Sequence, residues 1–258
     1  MGKIVSIHSF RGGTGKSNTT ANLAAQAALR GKRVAIVDTD IQSPGIHVLF
    51  GLDETRMGHT LNEFLRGECG IQDVAYPVGG GGEGGAGVKQ LVKQSLWLVP
   101  SSINGQEISR VVKTGYDVGL LNRGLNGLLK EFQLDYLFID THPGLNEETL
   151  LSIAISDVLL IIMRPDQQDF QGTAVTVDIA RGLDVPNLFL VVNKALTRYD
   201  FAEMKKTIEA TYHAPVAGIL PLSEDMVDMG SADLFSLRHP DHPWSKTLRE
   251  IADTVLSI

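Results

Sequence analysis

A glycine-rich segment near the start of the chain, SFRGGTGKSN at residues 9–18, combines the residue types that bind phosphate groups. Its three glycines predict a tight turn whose backbone N–H groups converge on an anion, ahead of a helix N-terminus. Lys16 follows the last glycine, where its ammonium group can reach phosphate oxygens, and Ser17 offers a hydroxyl group to Mg²⁺. The segment is therefore predicted to hold the phosphates of a nucleotide.

The segment departs from the usual phosphate-loop pattern, G-x-x-x-x-G-K-[ST], at one position. Phe10 stands where the first glycine is expected, and Arg11 follows it directly ahead of the glycine pair. A guanidinium group is positively charged and can contact phosphate oxygens through two N–H groups at once. Arg11 is therefore a candidate phosphate ligand, while Phe10 leaves the ordinary pattern incomplete.

Short apolar runs alternate with amphipathic segments of helical length along the chain. The predicted strands are residues 3–8, 33–38, 96–101, 136–140, 157–163, 187–193 and 214–221. The predicted helices are residues 17–30, 120–132, 147–155, 169–182, 201–211 and 243–256. The strands are apolar at consecutive positions, as strands covered on both faces are. This alternation predicts an α/β fold: a doubly wound, mostly parallel sheet with helices on both faces.

Composition excludes several kinds of site. The 258 residues carry 23 basic and 30 acidic side chains, and the net charge of −7 weakly disfavours a dedicated nucleic-acid binder. Cys69 is the one cysteine, which excludes an internal disulfide and a thiolate-only metal site and indicates a reducing, cytoplasmic location. The sequence has no long apolar leader and no apolar run of membrane-spanning length, so we expect neither secretion nor a membrane span.

A second glycine-rich segment, GGGGEGGAG at residues 79–87, has seven glycines in nine residues. No helical pattern follows it directly, so we interpret it as a flexible surface loop rather than a second phosphate site. No internal repeat and no linker divides the sequence. We therefore expect residues 1–258 to form a single domain.

The first glycine-rich segment resembles a known variant of the phosphate loop. RGGTGKSN is similar to the deviant Walker A motif, usually K-G-G-x-G-K-[ST], of the MinD/ParA family of P-loop ATPases in the SIMIBI class. That motif does not require the glycine that Phe10 replaces. Further segments resemble the family's motifs in the family's order: VDTDIQSPG (37–45), GLDETRMGHTLNEFLRGECGIQDVAY (51–76), FIDTHPG (138–144), VVNK (191–194) and GILPLSEDM (218–226). The likeness runs from about residue 3 to 256.

The resemblance implies a homodimer that holds ATP and Mg²⁺ between two stacked subunits and hydrolyses ATP weakly until a partner protein stimulates it. The implied catalytic residues are Asp40, which would orient the attacking water, Lys16, and Arg11. Arg11 replaces the family's signature lysine and would reach across to the phosphates of the other subunit. The alternative is a surface arginine beside the phosphates of its own subunit. The implied nucleotide contacts are Gly12, Gly13, Thr14, Gly15, Lys16, Ser17, Asn18, Asn193 and Pro221.

The resemblance also implies a magnesium site and a moving segment. Ser17 would bind the metal directly, whereas Asp38 and Asp140 would hold it through water. An aspartate at a strand end can also simply cap a helix or turn. Gly144 would let the second switch approach the γ-phosphate and move after hydrolysis. Asn193 would contact adenine, or it is a turn-forming asparagine.

The cellular task that the resemblance implies is intracellular positioning or partitioning, carried out in the cytoplasm, with the nucleoid or the inner membrane surface open as places of action. The basic candidates for DNA binding are scattered: Arg181, Arg198, Lys205, Lys206, Arg238 and Arg249. The apolar stripe of the last helix favours sealing of the core over membrane anchoring, because acidic residues offset its basic ones. DNA, a membrane and a protein all stay open as the surface engaged. A different class is also open, namely a metabolic enzyme of the dethiobiotin synthetase type that uses ATP to activate a small molecule.

Overall fold

The described strands form one sheet. The structure is a computed structural model that describes residues 2–53, 55–79, 85–91 and 95–258. Its eight strands lie in the order β3-β4-β2-β5-β1-β6-β7-β8, and all neighbouring strands are parallel except β3 and β4. The strands are β1 Lys3–His8, β2 Val34–Asp38, β3 Tyr76–Pro77, β4 Leu96–Val99, β5 Tyr136–Asp140, β6 Val158–Met163, β7 Leu188–Ala195 and β8 Val216–Pro221. The predicted α/β, mostly parallel sheet is confirmed.

Helices connect the strands and cover both faces of the sheet. They are α1 Lys16–Leu29, α2 Ile46–Leu49, α3 Leu61–Leu65, α4 Gly105–Thr114, α5 Val118–Glu131, α6 Glu147–Ala154, α7 Gln167–Gly182, α8 Phe201–Tyr212, α9 Glu224–Met229, α10 Phe235–Arg238 and α11 Pro243–Leu256. Single 3₁₀ turns lie at Ile71–Val74 and Val88–Gln90. The right-handed crossovers that parallel strands require explain why a helix follows nearly every strand.

Both faces of the sheet are buried, because successive side chains of a strand point to opposite sides. In β1, Val5 and Ile7 belong to the hydrophobic cluster that includes residues of α1 and α11. Ile4 belongs to a second cluster with residues of α3 and α5, and Ile161 of β6 belongs to a third with residues of α7 and α8. This two-sided burial is the physical reason for the uninterrupted apolar runs in the sequence.

The last helix is part of the core. The apolar stripe of α11, formed by Leu248, Ile251, Ala252 and Val255, is buried against the same cluster as α1. The expectation that this helix seals the core is confirmed. Among the residues that the structure describes, no helix combines the length and the apolar character needed to cross a bilayer.

Several elements are missing from the sequence-based assignment, among them α2, α4, α9, α10 and β3. Helix α4 was not predicted, although its apolar residues Ile108, Val111 and Val112 recur at helical spacing; Val111 is the only residue of this helix that is buried. Its N-cap, Asn104, accepts from two backbone N–H groups of the first turn and was an overlooked signal. Strand β3 is only two residues long. The predicted loop at residues 79–87 lies largely outside the described residues.

Phe10, the residue that interrupts the ordinary phosphate-loop pattern, packs against α7 at Gly172. A methyl group at position 172 would overlap the Phe10 ring. We therefore expect Gly172→Ala to lower the free energy of unfolding by about 1–3 kcal/mol through overpacking. Urea denaturation measured by circular dichroism tests this expectation.

The same helix supplies the control. Gly182 lies in α7 with no atom within 4 Å of the place where a side chain would begin, so Gly182→Ala should not destabilise the protein. The double variant Phe10→Ala/Gly172→Ala should recover part of the loss, because the ring that overlaps the methyl group is gone. Equal stability of Gly172→Ala and the unsubstituted protein would contradict the packing argument.

Candidate functional site

The phosphate-loop segment joins β1 to α1 at the carboxyl edge of the sheet. Gly15 is the N-cap of α1 in the left-handed conformation, with φ 90°, and Gly13 has φ 76°. A side chain at position 15 would overlap the amide of Asn193. Glycine is therefore required at this position both by backbone conformation and by the close approach of β7.

A cavity of about 290 Å³ opens over this loop. Its lining consists of Ser9, Gly12, Gly13, Thr14, Gly15, Lys16, Ser17, Asn18, Asp40, Ser43, His142 and Pro143. The structure thus brings together the seven predicted loop residues and Asp40. A larger cleft of about 510 Å³ lies at the amino edge of the sheet around Lys3 and Tyr136, and none of the predicted site residues lines it.

Lys16 is paired with a carboxylate at the end of β5. Its Nζ atom lies 2.9 Å from Oδ1 of Asp140, and only 7% of the lysine side chain is exposed. Thr20 donates to the same oxygen over 3.1 Å. The other oxygen of Asp140, Oδ2, is buried and has no hydrogen-bond partner among the described residues. A buried acceptor without a donor is costly and marks a place for a ligand, a water or a cation.

Asp38 and Asp140 stand side by side at the ends of β2 and β5, where they are paired in register. Asp38 is fully buried and accepts from the backbone N–H groups of Asp40, over 3.0 Å, and Gly45, over 3.3 Å. Burial, followed by the nearby Asp140 carboxylate, raises the pKa of Asp38 to about 8. Asp38 thus also stabilises the turn that follows β2. This is the capping role that the sequence analysis gave as the alternative to metal binding.

These residues fit a magnesium ion. Two adjacent carboxyl groups, the unpartnered Oδ2 of Asp140 and the Ser17 hydroxyl in the cavity lining supply hard oxygen donors of the kind that Mg²⁺ prefers. A cation beside Asp38 would also offset the repulsion from Asp140 that contributes to the raised pKa. The roles of Ser17, Asp38 and Asp140 in metal binding stay predictions.

Asp40 faces the cavity from the first turn after β2. Its Oδ1 atom accepts from the backbone N–H of Ser43 over 3.1 Å and lies 3.8 Å from Nε2 of His142. Burial raises the pKa of Asp40, while Lys16 and His142 act in the opposite direction. The carboxyl group therefore sits in a site where its protonation responds to nearby positive charge.

Arg11 does not line the cavity. Its Nη1 atom lies 3.7 Å from Asp169 and 3.9 Å from Asp166 at the start of α7, and 40% of its side chain is exposed. The ion pair with Asp166 joins two partly exposed side chains, and such pairs contribute only about 0–1 kcal/mol. Asp169 is buried, but Arg164 binds it at 3.0 Å, so it keeps a cation when the longer contact with Arg11 is lost. The arginine can therefore leave these contacts at little cost.

Strand β7 supports the loop from behind. Asn193 donates from Nδ2 to the carbonyl of Thr14 over 2.8 Å, and Lys194 donates from Nζ to the carbonyl of Gly13 over 2.8 Å. The side-chain oxygen of Asn193 accepts from the backbone of Lys194. In this conformation the Asn193 amide is engaged within the chain, so its predicted contact with adenine stays a prediction.

The remaining predicted residues, Pro221 and Gly144, do not line the cavity. Pro221 is buried at the end of β8, next to β7, and its contact with adenine also stays a prediction. Gly144 has φ 87°, a conformation that favours glycine, and its backbone N–H donates to the carbonyl of Ser9 over 3.3 Å. That bond ties the segment after β5 to the phosphate loop.

Two histidines at the site were not singled out from the sequence. His8 ends β1 and pairs its Nδ1 atom with the Thr141 hydroxyl over 2.8 Å. Burial, followed by nearby Lys16, lowers the pKa of His8 to about 3. His142 lines the cavity opposite Asp40. Their positions directly after strands β1 and β5 were the available signal.

Comparison with known proteins places these features in a family. A family model described as an AAA domain matches residues 2–184. The chain belongs to the MinD/ParA family of P-loop ATPases. An uncharacterized ATP-binding protein of Methanocaldococcus jannaschii is 27% identical over 255 residues, which cover 98% of this chain and 87% of that protein.

Solved structures of MinD proteins share the fold. The cell division ATPase MinD of Pyrococcus furiosus is 20% identical with a TM-score of 0.80, covering 100% of this chain and 99% of that one. The septum site-determining protein MinD of Pyrococcus horikoshii, complexed with Mg-ADP, is 18% identical with a TM-score of 0.78, covering 99% of this chain and 96% of that one. At these identities the likeness establishes the fold, in agreement with the eight-stranded sheet.

The raised pKa of Asp38 predicts a pH-dependent stability. An aspartate in an unfolded chain titrates near pH 4, whereas Asp38 in the fold titrates at about 8. Between pH 4 and pH 8 the folded protein holds a proton on Asp38 that the unfolded chain has lost. The free energy of unfolding therefore falls as the pH rises through this range. We therefore expect Asp38→Asn to melt at a higher temperature than the unsubstituted protein, with a gain that grows from pH 5 to pH 8. Melting curves without nucleotide or Mg²⁺ measure it.

An exposed carboxylate serves as the control. The pKa of Asp53 is lowered by its hydrogen bond from Thr55, so Asp53→Asn should show no gain that grows toward pH 8. A difference between Asp38→Asn and the unsubstituted protein that stayed constant from pH 5 to pH 8 would refute a raised pKa at this position.

Proposed function

We propose that this protein is an ATP-binding and ATP-hydrolysing switch that forms an ATP-sandwich homodimer. The proposal rests on one observation: the glycine-rich loop and Asp40 line one cavity at the carboxyl edge of the sheet, and Lys16 of that lining is bound to Asp140, which is paired in register with Asp38. This edge is where nucleotides bind in open α/β sheets. The residues 1–258 would act as one ATPase domain, since the described strands share a single sheet.

The phosphates of ATP would be held by the backbone N–H groups of the loop and by Lys16. The lysine would transfer its interaction from Asp140 to phosphate oxygens, which would leave Oδ1 of that aspartate with the Thr20 hydroxyl and Oδ2 open. Ser17, Asp38 and Asp140 would hold Mg²⁺, the aspartates through water. When bound, the metal ion offsets the charge of the phosphates. The M. jannaschii relative named as an ATP-binding protein and the MinD complexed with Mg-ADP support this assignment.

Hydrolysis would depend on the placement of a water molecule beside Asp40. The carboxylate accepts a hydrogen bond from that water, whose oxygen attacks the γ-phosphorus as the bond to the ADP oxygen breaks. Because the catalytic work is positioning, small displacements of Asp40 change the rate strongly. The Asp40 carboxylate is held by a single backbone hydrogen bond, from Ser43, and is therefore loosely positioned. Loose positioning is consistent with weak intrinsic ATP hydrolysis that a partner protein stimulates.

Arg11 would complete the site of the other subunit. Its present contacts with Asp166 and Asp169 are long, and Asp169 is also bound by Arg164, so exchanging them for phosphate oxygens costs little. A desolvated guanidinium–phosphate contact is stronger than either of these ion pairs. ATP held between two subunits would therefore draw Arg11 away from α7.

The proposed task is intracellular positioning or partitioning, in keeping with the cell division ATPase of P. furiosus. A protein partner is favoured over DNA as the engaged surface. The basic candidates are dispersed, and several are held within the chain: Arg181 donates to the carbonyls of Tyr212 and His213, and Arg249 donates to that of Pro240. We propose that the switch acts in the cytoplasm through such a partner.

The dimer can be trapped by removing the acid that orients water. Asp40→Ala should bind ATP without hydrolysing it, so the protein should run as a dimer with Mg-ATP and as a monomer with Mg-ADP. Adding Arg11→Ala should weaken the dimer by about tenfold or more, since hydrogen bonds to charged groups contribute about 1.5–3 kcal/mol. Light scattering on a sizing column over a range of protein concentrations measures both effects.

Arg198→Ala is the matched control for the loss of a positive charge. This exposed arginine stacks on Tyr199 and lies outside the cavity lining, so its removal should leave the dimer unchanged. A monomer under every condition would overturn the sandwich. Phosphate release that required an added small molecule would instead support a metabolic enzyme of the dethiobiotin synthetase type.

A further inference from the structure

We infer that His142 is a positioning residue for Asp40, the carboxylate that orients the attacking water in the proposed function. Through His142, a shift of the segment after β5 would change the position of this carboxylate. The inference deepens the proposed function and rests on it. His142 stands in the FIDTHPG segment, and Asp40 stands in the VDTDIQSPG segment, 102 residues earlier in the chain. The structure brings the two side chains together in the lining of one cavity.

The contact between the two side chains is almost a hydrogen bond. Nε2 of His142 lies 3.8 Å from Oδ1 of Asp40, and the two side chains are 23% and 12% exposed. Closing the distance by about 1 Å would make a hydrogen bond of ordinary length. Contacts of this kind in active sites are commonly long without substrate and shorten when it binds.

Few other groups can hold the Asp40 carboxylate. Its Oδ1 atom accepts one backbone bond, from Ser43, and the nearby ammonium group of Lys16 is bound to Asp140. The other ring nitrogen of His142, Nδ1, is buried and has no hydrogen-bond partner within the described ranges. The imidazole ring is therefore not held by a hydrogen bond at Nδ1, and Asp40 is the carboxylate that its Nε2 atom faces.

The backbone around His142 is anchored on both sides. Thr141 donates from its backbone and its hydroxyl to the carbonyl of Ile7 in β1. Gly144 donates to the carbonyl of Ser9 in the phosphate loop. His142 thus lies in a short segment that is hydrogen-bonded to the central strand at Thr141 and to the phosphate loop at Gly144. Loss of the hydrogen bond from Gly144 to Ser9 would therefore move His142 relative to Asp40.

The test uses the full chain with three substitutions at one position. His142→Ala should lower kcat for ATP hydrolysis by about tenfold while changing KM by less than about twofold, because the side chain positions the acid and does not hold the nucleotide. His142→Gln should recover much of the loss, because its amide nitrogen occupies nearly the place of Nε2. His142→Asn should recover less, because its amide is shorter.

Two further measurements separate positioning from a general structural effect. In the Asp40→Asn background, His142→Ala should cause no further loss of kcat, since the group it positions is gone. His59→Ala, at an exposed histidine outside the cavity, should leave kcat unchanged. Melting temperatures of all variants check that the fold is retained.

The outcomes distinguish this inference from the proposed function. If the unsubstituted protein hydrolyses ATP and His142→Ala matches it, the inference is wrong and the proposed function stands. A raised KM with normal kcat would make His142 a nucleotide contact and overturn the positioning role. If the unsubstituted protein shows no ATP turnover, the proposed function fails and the inference fails with it.

Discussion

The burial of two carboxyl groups side by side, at the ends of β2 and β5, is the constraint on which the rest of the site depends. Asp38 and Asp140 are paired in register, and nearly all of their surface is removed from water. Buried like charges of this kind are tolerated only with compensation. Lys16 neutralises Asp140, while a raised pKa lets Asp38 keep a proton. A site built in this way has unfavourable electrostatics that a bound cation relieves.

The phosphate loop is attached to its surroundings at several points, and each attachment comes from a different part of the chain. β7 supports it through Asn193 and Lys194, α7 packs on it through Phe10, and the segment after β5 is tied to it by Gly144. These contacts restrain the loop from several sides, although its glycines alone would leave the backbone free to adopt many conformations.

Much of the fold followed from local sequence signals. Strands that are apolar at every position, such as Val158–Met163, predict a covered parallel sheet, and the glycine spacing predicts the loop between β1 and α1. The predicted strand and helix bounds mostly lie within two residues of the observed ones. The helix Gly105–Thr114 was missed although its N-cap, Asn104, and the helical spacing of its few apolar residues were available signals.

The sequence predicted many of the residues that line the cavity, but it did not predict which of their side chains contact one another. The loop residues and Asp40 do share one cavity, since carboxyl ends of parallel strands meet at one edge. The pairing of Arg11 with α7, the bond from Asn193 to the loop and the approach of His142 to Asp40 all join residues distant in sequence. Such contacts depend on side-chain rotamers and packing, which no local pattern encodes.

The short antiparallel strand β3 has a consequence for assembly. It forms one edge of the sheet and consists of Tyr76 and Pro77, and a proline has no N–H group to offer to an incoming strand. At the opposite edge, β8 is preceded by Pro215 and ends at Pro221. Open sheet edges invite pairing with other chains, and prolines block it. Growth of the sheet from chain to chain is therefore disfavoured at both margins, so contacts between copies would have to use surfaces other than the sheet edges.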